Sequence, residues 1–177
     1  MFLSILLLCV LLALPAPALA GWCPRSQNMC GVRGLSSAVV EGIIAVESGG
    51  HPWALHVGLG KGHALYPRSL GEARRFLAVA LSLTRQVDIG LMQINWQTWG
   101  ATARRFGLSP QDLLDPQTNL RMGCHILAAA LSTSGSFEVR LGRYHSWRPR
   151  RGRWYARRVL AAARQLDEQS TKHGDER

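Results

Sequence analysis

Acidic side chains are scarce in this sequence. Its 177 residues contain 11 Asp and Glu against 21 Lys and Arg, which gives a formal net charge of +10. So large an excess of positive charge favours an anionic partner: a nucleic acid, a membrane surface or a carboxylate-bearing polymer of the cell wall. No nucleic-acid-binding motif accompanies the basic residues, so we do not expect nucleic acid as a partner.

Charged side chains are absent from residues 2–20. An apolar run over residues 3–14 is followed by Pro15, Pro17 and the triplet Ala18-Leu19-Ala20. This pattern predicts a signal peptide over residues 1–20, cleaved after Ala20, and therefore a periplasmic protein. A membrane anchor would need about 20 unbroken apolar residues. No later stretch is that apolar, so we expect no transmembrane span once the signal peptide is removed.

Cysteine is also rare. Cys9 lies in the predicted signal peptide, which leaves Cys23, Cys30 and Cys124 in an oxidising compartment. Three cysteines allow one disulfide and one free thiol, and the sequence leaves the pairing open. Residues 21–166 have the length of a single domain with its own core. The polar residues 167–177 are expected to be disordered.

Neither an internal repeat nor an alternating strand pattern of useful length is present, so the predicted fold class is mainly α. Helix-start signals recur instead, and each is followed by apolar residues at helical spacing. These signals are Ser36 or Ser37, the capping box Ser69 to Glu72, Asp115-Pro116 and Ser136. Further helices are expected over residues 98–106, with Phe106 facing inward, and over residues 151–166.

Three histidines, His51, His56 and His63, lie in a stretch that is expected to be irregular and to form the lip of a cleft. Their spacing matches no ligand pattern, and no cysteine or carboxylate lies between them. We therefore expect no metal site there.

Glu47 is the first candidate for a catalytic group. It follows Val40, Ile43 and Ile44 at helical spacing, which places its carboxylate on the stripe that faces the core. Gly49 and Gly50 end the helix directly after it, so the carboxylate also lies near the negative end of the helix dipole. Both effects raise a carboxyl pKa, as a general acid working near neutral pH requires. The alternative is a glutamate in a frayed last turn that bends out to water.

Three short motifs occur in order: Glu47-Ser48, the hexapeptide from Gly90 to Asn95 (Gly-Leu-Met-Gln-Ile-Asn), and Tyr144-His145. Together they resemble the motifs of the lytic transglycosylases related to the soluble Slt enzymes and to goose-type lysozyme. His-Pro-Trp after the first motif and Tyr-His-Ser-Trp at the third are similar to the members that accompany conjugative type IV secretion systems. The resemblance extends from about Cys23 to Leu166.

This resemblance implies a single lysozyme-like helical domain with a substrate cleft and a lyase that needs no metal or cofactor. Glu47 matches the single catalytic acid/base, and Tyr144 matches a tyrosine that faces the catalytic carboxylate. The residues expected to bind or orient the substrate are Ser48, Met92, Gln93, Asn95, Tyr144 and His145. The implied partners are peptidoglycan glycan strands and proteins of a secretion or conjugation apparatus.

The implied reaction cleaves the bond between N-acetylmuramic acid (MurNAc) and N-acetylglucosamine (GlcNAc) and leaves a 1,6-anhydro end. Glycosidases ordinarily use two carboxylates. The candidates for a second one are Asp112 and Asp115, which capping explains, and Asp88, which we interpret as a residue that orders the backbone. Two alternatives remain open: a hydrolytic goose-type lysozyme, and a non-catalytic wall-binding subunit of a secretion machine.

Nine arginines lie between Arg140 and Arg164. Such a run is usually a solvated helix face, and the neighbouring Trp147, Trp154 and Tyr155 are expected to serve packing. The alternative hypothesis is that the arginines hold the enzyme against peptidoglycan carboxylates or an acidic face of a secretion apparatus.

Overall fold

A computed structural model describes residues 30–175 of the chain. The predicted signal peptide at residues 1–20, Cys23, and residues 176–177 lie outside the described residues. The helices are α1 (Ser37–Ser48), α2 (Leu70–Leu83), α3 (Trp96–Arg105), α4 (Pro116–Leu131), α5 (Phe137–Gly142) and α6 (Pro149–Asp175), with a short 3₁₀ turn at Asp112–Leu114. Within residues 30–175, no helix is long and apolar enough to cross a membrane. The fold is mainly α, as the sequence predicts.

A small antiparallel sheet corrects the prediction that residues 51–67 are irregular. Its strands are β1 (Leu55–Val57), β2 (His63–Leu65), β3 (Val87–Ile89) and β4 (Ile94–Asn95), in the order β2-β1-β3-β4. Each strand has only two or three residues, which is too short to show the alternation of apolar and polar residues that identifies a strand in sequence. The sheet carries one wall of the cleft described below.

Three of the predicted helix starts are confirmed. The side chains of Ser69, Asp115 and Ser136 accept hydrogen bonds from the backbone N–H groups of Glu72, Thr118 and Val139, respectively. Ser36 occupies the N-cap of α1 without such a side-chain bond. The carboxylate of Glu72 accepts from the N–H of Arg68, one residue before the N-cap.

Several side chains that were expected to be buried are exposed. Phe106 follows the last residue of α3 and is 56% exposed. Trp147 and Trp154 are 71% and 55% exposed, whereas Tyr155 is buried as expected. The helical spacing of Tyr155 and Val159 places one stripe of α6 against the core and leaves Trp154 on the opposite side.

Helix α6 packs against α1 at very short range. A Cβ atom at Gly42 would lie 2.6 Å from the carbonyl oxygen of Val159, so only glycine allows the two backbones to approach this closely. The helix also continues to Asp175, which corrects the prediction of a disordered tail from Asp167. Gln, Glu and Lys in this segment are good helix formers, so the helix extends by local propensity beyond its buried part.

A disulfide joins Cys30 to Cys124 across 94 residues of sequence. It answers the pairing question that the sequence left open. Cys124 is buried on α4, so the bond ties the segment that precedes α1 to the core helix. Closing so long a loop restricts the unfolded chain and stabilises the fold.

Asn119, on α4, fixes the turn between β3 and β4. It is fully buried, and its amide nitrogen donates to the carbonyl oxygens of Ile89 (2.7 Å) and Leu113 (2.8 Å). Its amide oxygen accepts from the N–H of Met92 (2.8 Å). One side chain thus satisfies three backbone groups from two separate segments.

We predict that Asn119→Ala lowers the free energy of unfolding by about 3 to 5 kcal/mol, because three buried polar groups lose their partner and each costs about 1 to 3 kcal/mol. Denaturant unfolding measures the loss. Gln117→Ala, at an exposed position on the same helix, is the control and should change stability by less than about 0.5 kcal/mol. Equal losses in the two variants would contradict the role of Asn119.

Candidate active site

A cleft of about 980 Å³ lies where the end of α1, the sheet and the segment between α5 and α6 meet. Glu47 contributes from α1, and Asp88 and Asn95 contribute from the sheet. Tyr144 and His145 contribute from the segment that follows α5. The three motifs found in the sequence therefore come together around one cavity.

Glu47 lies in the last turn of α1 and is half-buried. Its helix ends at Gly49, which adopts the left-handed conformation with φ 61°. The pKa of Glu47 is raised from 4.5 to about 7, mainly by burial and in smaller part by the nearby negative charge of Asp88. The predicted core-facing position is confirmed, and the alternative of a glutamate bending out to water is not observed.

Tyr155, which the sequence interpretation used only for packing, faces this carboxylate. Its ring is buried against the core on α6. Its hydroxyl lies close enough to Glu47 to lower the pKa of the carboxyl, although within residues 30–175 this buried hydroxyl makes no hydrogen bond of ordinary geometry. Burial and the charge of Glu47 raise the pKa of Tyr155 well above its usual value, so Tyr155 stays a neutral donor. The sequence did contain a signal for this role: the Tyr155 hydroxyl is a polar group on the buried stripe of α6, and a buried polar group needs a partner.

Tyr144, which the resemblance matches to a tyrosine facing the catalytic carboxylate, lines the cleft together with Glu47. Its hydroxyl donates to the carbonyl oxygen of Met92 (2.8 Å), which ties the third motif to the second. The ring of Tyr144 is stacked on that of Tyr155, with 6.2 Å between the ring centres. The ring of His145 is also stacked on that of Tyr155, with 4.8 Å between the centres. Burial and the charge of Glu47 raise the pKa of Tyr144, and partial burial lowers the pKa of His145. Tyr155 is therefore a second tyrosine beside Glu47, and the sequence analysis did not propose it for the site.

Asp88 forms a network of side chains inside the cleft. One carboxylate oxygen lies 3.1 Å from Nδ1 of His56, and the other accepts from the amide of Asn95 (2.8 Å). This corrects our interpretation of Asp88 as a residue that only orders the backbone. Strand pairing creates the network, because His56 and Asn95 lie opposite Asp88 on the two flanking strands.

Gln93 and Asn95 line the cleft but are already engaged in hydrogen bonds with the protein. The amide nitrogen of Gln93 donates to the carbonyl oxygens of Ala54 (3.0 Å) and Gly90 (2.8 Å), and its backbone has φ 47°. The amide oxygen of Asn95 caps α3 by accepting from the N–H of Thr98 (2.9 Å). The bonds of Gln93 hold its backbone in a conformation that is unusual for a residue other than glycine.

Ser48 and Met92, which were expected to bind the substrate, do not line the cleft. Both are buried. The hydroxyl of Ser48 donates to the carbonyl oxygen of Ile44 and accepts from the N–H of Gly50, so it closes the end of α1. The side chain of Met92 packs over Gly123 of α4, where a Cβ atom would lie too close to the methionine. These two motif residues therefore pack beneath the cleft lining and hold the backbone of α1 and of the turn between β3 and β4.

The three histidines have separate roles. Nδ1 of His51 accepts from the N–H of Trp53, a second bond reaches the backbone carbonyl of Pro67, and burial lowers the pKa of its ring. His56 pairs with Asp88 as described, and His63 lies on strand β2. Within residues 30–175, no group of three or more His, Cys, Asp or Glu side chains is placed to hold a metal ion.

Comparison with known families gives one match. The family model described as "Transglycosylase SLT domain" matches residues 29–164, which include all three motifs and Tyr155. Searches of curated proteins and of solved structures gave no match.

We predict that Glu47→Gln makes the protein more stable above neutral pH. A carboxyl whose native pKa is about 7, against an ordinary value of 4.5, binds more protons in the folded than in the unfolded state between these values. The wild-type free energy of unfolding therefore falls as pH rises from about 4.5 to 7, by at most about 3 kcal/mol. Glutamine does not titrate and avoids this loss.

Denaturant unfolding of both proteins from pH 4 to pH 8 measures the difference. Glu168→Gln, an exposed change on α6, is the control and should stay parallel to the wild type. A gap between Glu47→Gln and the wild type that failed to widen with pH would show that the carboxyl titrates normally.

Proposed function

The chain belongs to the transglycosylase SLT domain family, whose substrate is peptidoglycan, and from this premise we propose that it is a lytic transglycosylase with Glu47 as its single acid/base. The product is a glycan strand that ends in 1,6-anhydro-MurNAc. The observation that carries the proposal is a carboxyl with a pKa of about 7 that opens onto a cleft of about 980 Å³. Such a group is protonated in a large share of molecules near neutral pH, as a general acid must be.

In the first step, the protonated Glu47 donates its proton to the oxygen that bridges MurNAc and GlcNAc. The bond from C1 of MurNAc to this oxygen breaks, and the GlcNAc end leaves as an alcohol. The 2-acetamido group of MurNAc stabilises the positive charge that develops at C1. Glu47 is now a carboxylate, and the Tyr155 hydroxyl and Arg158 both favour its charged form.

In the second step, the Glu47 carboxylate takes the proton from the C6 hydroxyl of the same MurNAc. The C6 oxygen bonds to C1 and closes the 1,6-anhydro ring, so Glu47 returns to its protonated form. No water is consumed. A pKa near 7 suits both halves of this cycle, since one group must first give and then take a proton.

The charges of the cleft fit an anionic glycopeptide. Arg143, Arg148 and Arg151 are among its lining residues. MurNAc units carry peptides that end in carboxylates, and arginine binds carboxylates with two parallel hydrogen bonds. Gln93 and Asn95 fix the floor against which the sugars lie. The structure therefore supports a strand that presents sugars to the floor and carboxylates to the rim.

The setting of the reaction is the second part of the proposal. Peptidoglycan lies outside the cytoplasm, and residues 1–20 carry the pattern of a signal peptide for export to the periplasm. The sequences His51-Pro52-Trp53 and Tyr144-His145-Ser146-Trp147 resemble those of transglycosylases that open the wall for conjugation or type IV secretion. Conjugation frequency in a host that lacks the protein, restored by the wild type but not by Glu47→Gln, tests this role.

A second candidate function is hydrolysis, as in a lysozyme. The observation in its favour is Asp88, a second carboxylate in the same cleft whose charge acts on Glu47. A carboxylate there is able to activate a water molecule that attacks C1. The two reactions differ in product mass, because an anhydro end is lighter than a hydrolysed end by one water.

We predict that Glu47→Gln lowers the rate of wall cleavage by about 10³-fold or more, because general acid/base catalysis accounts for about 10²- to 10⁴-fold. Mass spectrometry of products from purified peptidoglycan measures the rate and the product type. The wild type and the control Glu168→Gln should both give anhydro ends. Retention of more than a few per cent of activity by Glu47→Gln would rule out the single-acid mechanism.

Asp88→Asn separates the two candidate functions. Loss of the negative charge lowers the pKa of Glu47, so the fall of kcat/KM at high pH should begin at a lower pH. We expect about a tenfold loss of rate, because the network to His56 and Asn95 weakens, and unchanged anhydro products. Asp112→Asn, outside the cleft lining, should leave the pH profile in place. Hydrolysed ends in the wild type that disappear in Asp88→Asn would favour the lysozyme reaction.

A further inference from the structure

The outer face of α6 carries a second groove, of about 400 Å³. Its lining consists of Arg150, Arg153, Trp154, Arg157, Arg158 and Ala161. These positions recur at spacings of three and four residues, so they form one stripe of the helix. The groove and the cleft have no lining residue in common.

The chemistry of this groove is unusual for a solvated helix face. Trp154 is 55% exposed, and the guanidinium of Arg158 lies 4.8 Å from the centre of its ring. Arg157 forms an exposed ion pair with Glu138 at 3.4 Å, and no acidic residue is among the lining residues. An exposed ring bordered by four guanidinium groups offers an apolar surface and several carboxylate-binding forks at once.

We propose that this groove binds the carboxylate-bearing peptide side chains of peptidoglycan and holds the wall while the cleft acts on the glycan. The inference rests on the proposed function, since it takes the same polymer as ligand. The two sites share α6: Tyr155 faces Glu47 and Arg158 acts on its pKa, while Trp154 and Arg153 face the groove. Residues of this one helix therefore contribute to both sites.

Other anionic surfaces fit the groove less well. Insertion into a membrane surface requires a broad apolar face, whereas the lining offers one tryptophan and one alanine as apolar side chains. Nucleic acid would be held by its phosphates, and the family to which the chain belongs acts on a polymer whose charges are carboxylates. Arginine binds both carboxylates and phosphates in a bidentate geometry, so the preference for carboxylates rests on the polymer on which the family acts.

The test variant is R150Q/R153Q/R157Q. Arg158 is retained because it lowers the pKa of Glu47, and Arg151 is retained because it lines the cleft. The matched control is R74Q/R75Q/R85Q, which removes the same charge at exposed positions on and after α2. Both sets are also made with Glu47→Gln, so that binding is measured without loss of the wall.

Binding is measured by co-sedimentation with purified insoluble peptidoglycan, and turnover is measured on a short soluble glycan without peptides. We expect R150Q/R153Q/R157Q to bind the wall about tenfold more weakly, as expected for three exposed charge contacts, and to retain the soluble rate within about twofold. The control should bind at least threefold more tightly than this variant. Salt at about 0.5 M should reduce wild-type binding to a similar extent. Amidation of the peptide carboxylates should also reduce the binding of the wild type to the wall.

Two results with the wall would overturn the proposal: equal binding of the variant and the control, or wild-type binding that survives amidation. The proposal would also be overturned if R150Q/R153Q/R157Q lost binding to anionic vesicles or duplex DNA but kept its binding to the wall. Failure of the proposed function gives a different pattern. In that case the wild type would leave the wall uncleaved, while its binding would still depend on the three arginines and on the carboxylates.

Discussion

The buried amide of Asn119 is the interaction on which the cleft depends. It holds the backbone of Ile89 and Met92 in place from α4, and so fixes the turn between β3 and β4. The carbonyl oxygen of Met92 then accepts the hydroxyl of Tyr144, which attaches the segment that follows α5. At Gly90 a Cβ atom would lie 2.2 Å from the same amide, so the turn requires glycine there. The positions of two walls of the cleft therefore depend on the side chain of Asn119.

The state of Glu47 is decided by opposing effects of unequal size. The hydroxyl of Tyr155 and the charge of Arg158 favour the carboxylate, whereas burial and the charge of Asp88 favour the neutral acid, and burial is the largest effect. The net result is a pKa of about 7. Burial alone would keep the group a permanent acid, and a solvated carboxylate would be a permanent base. The group is therefore neutral in some molecules and ionised in others near neutral pH, as the proposed function requires.

Local signals made much of the fold predictable, and long-range contacts account for the rest. The caps at Ser69 and Asp115 and the inward position of Glu47 follow from neighbours within one or two turns. The four strands were missed because two or three residues carry no periodicity, and the network around Asp88 exists only once those strands pair. Tyr155 was missed as a neighbour of Glu47 for the same reason. Only the packing of α6 on α1 brings it there, in addition to the predicted Tyr144.

Residues of the hexapeptide motif are largely engaged within the protein itself. Met92 is buried, and the polar groups of Gln93 and Asn95 largely satisfy the protein itself. A buried polar group must have a partner, so residues that shape a tight turn spend their hydrogen bonds on that turn. In the proposed function, recognition of an anionic glycopeptide therefore depends on cleft-lining side chains outside the motifs, such as Arg148 and Arg151. The motif residues would then form the floor of the cleft, and the arginines would supply the charge that matches the polymer.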